Sequence, residues 1–159
     1  MSLTPETLAS IANNPNFTDK KLLTEIVELF AERTEAYEFL RLYGEYGEMI
    51  DDIVDEEKNL DTIEKAARLV NAVNNCSYWR KYQHSLMLVE RLVHNTYFDS
   101  VKWEKSNSEW KRRDAKCLSH CGYNMLFAVI LIEFGEETLS KFSLRFRTHA
   151  HLRHIHDPI

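Results

Sequence analysis

The sequence predicts a mainly α, single-domain bundle of five to seven helices, and three observations carry that prediction. Its 159 residues include only four glycines and three prolines, few turn-formers for many short strands. Apolar residues recur at three-to-four-residue spacing through most of the chain. The stretch Tyr123–Phe134, YNMLFAVILIEF, carries no polar side chain between Met125 and Ile132, so it is expected to be covered on every side. As a helix it would reach about 18 Å, short of the ~30 Å hydrocarbon layer of a bilayer. It is therefore expected to be a core element, stopped by Gly135, and no window is expected to cross a membrane.

At this length about 70% of the unfolded chain's surface can be buried, enough for one core. Charged residues at 28% and hydrophobic residues at 44% are ordinary for a globular protein. No basic, apolar and small-residue succession opens the sequence, so no secretory signal is expected. Three cysteines, Cys76, Cys117 and Cys121, are odd and sparse for a disulfide framework, which predicts reduced thiols and a cytoplasmic setting. The net charge of -5 is unevenly spread. Residues 1–75 carry 7 Lys+Arg against 16 Asp+Glu, net -9, and residues 76–159 carry 13 against 9, net +4. Either the two halves satisfy each other across the fold or in a dimer, or they mark a partner surface.

Thr4-Pro5-Glu6 predicts a short first helix, ending near Asn13-Asn14-Pro15. Thr18-Asp19 is expected to cap a long second helix through Leu22, Ile26, Leu29, Phe30, Tyr37 and Leu40, with a bend or break near Tyr43–Gly47 before the stripe resumes at Ile50 and Val54. Asp61-Thr62-Ile63-Glu64 fits a capping box for a helix through Ala66, Leu69, Val70 and Val73, closed by Asn74-Asn75. Ser77 is expected to cap the next helix, Tyr78 to about Phe98, with a stripe of Tyr82, Leu86, Val89, Val93 and Tyr97 widened by Leu88 and Leu92. Residues 99–108 read as a loop, after which Ser108-Glu109 restarts a helix with Trp110, Cys117, Leu118 and Cys121 inward. In the tail, Leu139, Phe142 and Phe146 suit a helix. Yet Phe142, Leu144, Phe146, Thr148, Ala150 and Leu152 alternate strictly with polar residues, as a strand would. Helix is the expectation, and the alternative is a short β element paired with the core segment as a hairpin through Gly135.

Four constellations could carry chemistry. Glu45, Glu48, Asp52 and Asp55 fall at i, i+3, i+7 and i+10, one helix face whose carboxylates are what Mg²⁺ needs beside a substrate's phosphates. The segment Gly44-Glu45-Tyr46-Gly47-Glu48-Met49-Ile50-Asp51-Asp52 resembles the first acidic helix of the all-α nucleotide pyrophosphohydrolases of the MazG and dimeric dUTPase type. That resemblance implies a Mg²⁺-dependent nucleotide hydrolase with a second acidic E-x-x-D helix, where this chain offers the neutral Asn71-Ala72-Val73-Asn74. The plain reading of the acids is a solvated face.

The tail carries Arg145, Arg147, His149, His151, Arg153, His154 and His156. Arg147 and His154 are separated by six residues, and Arg145 and His151 by five, and both spacings resemble the R-x(4–6)-H pattern of HEPN-type helical ribonucleases. The resemblance implies metal-independent RNA cleavage, with His154 acting on the ribose hydroxyl and Arg147 holding phosphate. Histidine chemistry suits this, because its proton exchanges near neutral pH. Leu92-Val93-His94-Asn95-Thr96-Tyr97 resembles the L-V-H-x-Y ending of the same motif, but Val89 stands where its arginine belongs.

Cys117, His120 and Cys121, with the tail histidines, could supply a tetrahedral zinc site, although both cysteines lie on an apolar stripe, where thiols act as small hydrophobes. Lys111, Arg112 and Arg113 beside Trp103 and Trp110 form a basic and aromatic patch that could grip nucleic acid. The acidic balance, pI near 5.8, instead favours an acidic protein partner for this patch and for Arg145 and His151. Glycine-rich phosphate loops, a G-x-S-x-G elbow, H-E-x-x-H and Ca²⁺ loops are absent from the sequence. With every catalytic pattern short of a member, the expected function is a small cytoplasmic interaction or regulatory protein without catalysis. Its expected partner is another protein or a second copy, with no cofactor and no membrane.

Overall fold

The computed structural model describes residues 20–55 and 60–154, with side chains described for 21–55 and 63–150. The expected first helix, the Thr18-Asp19 cap and His156 lie outside the described residues. Among the described residues the chain is helical: α1 Lys20–Leu29, α2 Thr34–Val54, α3 Leu60–Asn75, α4 Ser77–Glu104, α5 Glu109–Leu118, a 3-10 turn Ser119–Gly122, and α6 Tyr123–His154. The mainly α bundle is as the sequence predicts.

The core is one cluster fed by nearly every helix. Leu22, Ile26 and Phe30 enter from α1 and its end, Ala36, Phe39 and Tyr43 from α2, Val73 from α3, and Trp79 and Leu86 from α4. From α6 come Met125, Phe127, Val129, Ile130, Phe142 and Phe146. Aromatic rings set several of the crossings. Phe39 stacks on Tyr78 and Trp79 at 5.6 and 5.9 Å, tying α2 to α4, and Phe30 meets Phe134 edge-on at 5.1 Å, tying α1 to α6.

α6 is the organising element, and it is a hairpin of two helical arms. Along a continuous helix Phe127 and Phe146 would lie about 28 Å apart. Their ring centroids are 6.1 Å apart, and Tyr123 lies 5.2 Å from the same Phe146. The chain therefore reverses, and it does so at Gly135, whose φ of 82° and ψ of -178° suit glycine alone. The hairpin foreseen for a β element is formed by helices instead. Phe142, Phe146 and Ala150 are buried at four-residue spacing, while Leu144 is 69% exposed, so the period is 3.6 and the alternation is incidental. Met125, Val129 and Ile130 are fully buried as expected. Leu131, 46% exposed, is not, so the segment is covered on most sides rather than all.

Other expectations are corrected. The run Glu109–Ala150 does contain a window long and apolar enough, by length and composition, to cross a membrane. In the fold the run is divided between α5, the 3-10 turn and α6, and Met125, Val129 and Ile130 of α6 are fully buried in the bundle core. The second helix breaks at residues 30–33, where Ala31 N–H reaches Glu28 O and Arg33 N–H reaches Phe30 O, and not at its glycines. After this break Ala36, Phe39 and Tyr43 are the buried positions, and Tyr37 and Leu40 pack against the same core half-buried. Gly44 and Gly47 lie inside an unbroken α2, with open space where a Cβ would stand. Ser77 is not a cap: Cys76 holds that position, and the Ser77 hydroxyl donates to Glu35 Oε1 of α2 at 3.0 Å. α4 runs on to Glu104, and Leu88 and Leu92 point away from its buried side. Trp110 is 55% exposed and Cys117 is exposed, with Ala115 taking the inward place.

Glycine substitutions should separate these roles. Gly44→Ala and Gly47→Ala, in open helix interior, should each stabilise by about 0.5–1 kcal/mol. Gly135→Ala, forced into a glycine-only conformation, should destabilise by about 1–3 kcal/mol. Urea unfolding of the three variants checks the opposite signs, and a neutral Gly135→Ala would contradict the reversal. Val129→Asp should place a carboxylate without a partner in the core, at a cost of about 2–7 kcal/mol against a total stability of about 5–15. A cooperatively folded Val129→Asp chain with an unchanged urea midpoint would contradict the core assignment.

Candidate functional site

Two clefts open on either side of the 3-10 turn Ser119–Gly122, and both include His120 and Cys121. The first, about 270 Å³, lies between this turn and the two arms of α6, lined by Cys117, Tyr123, Asn124, Phe127 and Arg147. The Arg147 guanidinium sits 5.2 Å from the centre of the Phe127 ring. The second, about 340 Å³, lies between the turn, α2 and α4, and is lined by Tyr43, Tyr46, Glu48, Asp51, His94 and Tyr97 among others. Cys121, buried between the two, donates its thiol to Val93 O at 3.2 Å and so ties the turn to α4. Burial pushes that thiol up from its ordinary value, which keeps it protonated and unreactive.

The second cleft is aromatic and acidic. Tyr46 lies 6.0 Å from Tyr43 and 5.8 Å from the His94 imidazole, centre to centre. The Tyr97 hydroxyl donates to Asp51 Oδ1 at 2.5 Å. Burial, with Glu90 nearby, holds the Tyr43 phenol far above its usual range, and burial and the bond to Asp51 do the same for Tyr97. The Nε2 atom of His94 is buried with no hydrogen-bond partner among the described residues.

The predicted site residues are placed as follows. Of the acidic four, Glu45 pairs with Arg41 one turn earlier, Asp52 lies 4.0 Å from Lys65, and Asp55 is the C-cap of α2. Glu48 alone reaches a cleft. Among the described residues no three His, Cys, Asp or Glu side chains group as a metal would require, so the Mg²⁺ face does not come together, and of the zinc set the side chains of His151, His154 and His156 lie outside the described residues. The described members of that set are kept apart locally. Cys117 is exposed while Cys121 is buried on Val93, and His120 stacks on Tyr123 at 5.9 Å.

Arg147 lines the first cleft beside His120, while the side chains of His151 and His154 lie outside the described residues. Arg145 is engaged across the fold, its Nη1 donating to Glu25 Oε2 of α1 at 2.6 Å. The basic patch is also committed. Lys111 lies over the Trp110 ring at 5.6 Å, Arg112 donates to Ser106 O at 2.8 Å, and Arg113 pairs with Glu109 at 2.9 Å. Arg33 with Glu133 at 3.2 Å adds a second link between the acidic and basic halves of the chain.

Sequence reasoning missed the second cleft. Its signal was present, since Tyr43 and Tyr46 on α2 and His94 and Tyr97 on α4 each lie three apart, but nothing in one sequence says that these two faces meet. Compared with protein-family models, curated proteins and solved structures, the chain matches none.

The Arg145–Glu25 pair makes a pH prediction. The guanidinium holds the Glu25 carboxyl below its ordinary value of 4.5, so the pair stabilises fully above that pH and fades as pH falls through the lowered value. Glu25→Gln should therefore be less stable than the parent near neutral pH, and the gap should close in acid. Thermal unfolding of both chains from about pH 7 to pH 2 checks it, and a gap independent of pH would contradict it.

Proposed function

We propose that this chain is a non-catalytic interaction protein that associates with a second copy of itself through the outer face of α4. The observation that carries this reading is the composition of that face. Leu88 and Leu92 are 63% and 69% exposed, one turn apart, on the side of α4 opposite its buried residues. Extended along the helix, the same face carries Ser85, Leu88, Leu92, Asn95 and Asp99, spaced three, four, three, four, and Lys81 precedes it across a kink at Tyr82, whose φ of -113° and ψ of 18° depart from the helix. That spacing is the seam of a helix pair.

The order of the residues favours a particular partner. About a two-fold axis at Glu90, an antiparallel copy sets Leu88 against Leu92, Ser85 against Asn95 and Lys81 against Asp99, in both directions at once. Apolar meets apolar, amide meets hydroxyl and cation meets anion. In the single chain Asp99 meets Lys102 at 3.0 Å and accepts from Asn95 Nδ2 at 3.3 Å, and Lys81 lies over the Tyr82 ring at 4.9 Å, all exposed contacts that exchange easily. Four leucines leaving water contribute at most about 6–12 kcal/mol against an association cost of about 4–15, so the dimer is weak and its ion pairs matter. A protein of this kind acts by occupancy, as a regulatory partner. Cys76, Cys117 and Cys121 stand outside any disulfide, which is consistent with a reducing, cytoplasmic setting.

Charge exchange tests the register. Lys81→Asp and Asp99→Lys should each weaken self-association in sedimentation equilibrium, and the double variant should restore it, because each copy then supplies the reversed pair. Leu88→Asp with Leu92→Asp should leave a folded monomer. A chain that stays monomeric at millimolar concentration, or a double charge variant as weak as the singles, would contradict the proposal.

A further inference from the structure

The cleft between α2, α4 and the 3-10 turn has a chemistry independent of the dimer face. We infer that it is a binding site for a small organic ammonium ion.

Three features of the cleft point to a cation. Its aromatic lining, Tyr43, Tyr46 and Tyr97, offers phenol rings that attract positive charge. Their hydroxyls stay protonated, Tyr43 because it is 7% exposed and Tyr97 because its O–H donates a hydrogen bond to Asp51 Oδ1 at 2.5 Å, so both rings remain neutral phenols. Glu48 and Asp51 add carboxylates at the exposed edge, and the cleft has neither lysine nor arginine among its lining residues. An anion would therefore meet two like charges there with no compensating one, whereas a cation meets both attraction and rings.

The volume, about 340 Å³, is at the low end of the range of about 300–1,000 Å³ for small-molecule sites, which selects a compact ligand over a long polyamine or a nucleotide. A bare metal ion fits poorly, because the rings supply no oxygen ligands beyond their protonated hydroxyls and the required grouping of acids is absent among the described residues.

The probe is choline, an ammonium with one hydroxyl, set against 3,3-dimethylbutan-1-ol, its uncharged carbon analogue of the same shape. Titration of the folded, isotope-labelled chain should shift the amide resonances of the Tyr43–Asp51, Val93–Tyr97 and Ser119–Gly122 segments with choline, and the neutral analogue should bind at least about tenfold more weakly. Glu48→Gln, at an exposed position, should weaken choline about two- to fivefold, and Tyr46→Leu should weaken it about fivefold or more. If Tyr46→Leu does not fold, Glu48→Gln and the neutral analogue still decide. Leu88→Asp with Leu92→Asp should leave choline binding unchanged, since the two sites lie on different faces of α4. Equal binding of choline and its neutral analogue, or no shift with choline at 20 mM, would overturn the inference.

Discussion

The reversal at Gly135 is the constraint on which the rest of the structure depends. A non-glycine residue resists a φ of 82° with ψ at -178°, so one position without a side chain decides that α6 folds back on itself. The reversal brings Phe142 and Phe146 against Tyr123 and Phe127, and it leaves the inner arm to bury Met125, Val129 and Ile130 completely. α1, α2 and α4 then close over that arm through Phe30, Phe39 and Trp79. The clefts beside the 3-10 turn inherit their positions from this arrangement, because the turn is the N-terminal anchor of the inner arm. Without the reversal the outer arm would carry its three buried positions into solvent.

Charge follows the same plan. The uneven distribution along the sequence resolves, in part, inside one molecule through Arg145 and Glu25, while the Arg33–Glu133 pair runs in the opposite sense. Both ties join α6 or its neighbourhood to the first helices, so they fasten the hairpin to the acidic half. Most remaining ion pairs lie within a helix at i, i+3 or i+4 and are exposed, where each contributes little. The proposed interaction surface thus rests on the leucines of α4 more than on the charged halves that first suggested it.

How much of this was legible differs by residue. The core run, the helical class and the stop at Gly135 were legible because long apolar runs and isolated glycines have few readings. Leu88, Leu92 and Trp110 were not, since apolarity alone cannot tell a face that meets the core from one left for a partner. Ser100 and His149 are buried, yet polar residues are never assigned inward from a pattern. Ser100 is tolerated because its hydroxyl donates to Tyr97 O at 2.6 Å within its own helix. The break at residues 30–33 was hidden because no side chain caps the helix that follows. The aromatic and acidic cleft was invisible for a different reason: it exists only where α2 and α4 cross, and crossings are long-range.

The central claim is that two copies meet antiparallel along α4 about Glu90. Isotope-filtered NOE spectroscopy on a mixed sample, half labelled and half unlabelled at millimolar concentration, tests it without altering a residue. The account predicts intermolecular contacts between the Leu88 and Leu92 methyl groups and between the side chains of Lys81 and Asp99. Intermolecular contacts arising from any other face, or none at all at that concentration, would contradict it.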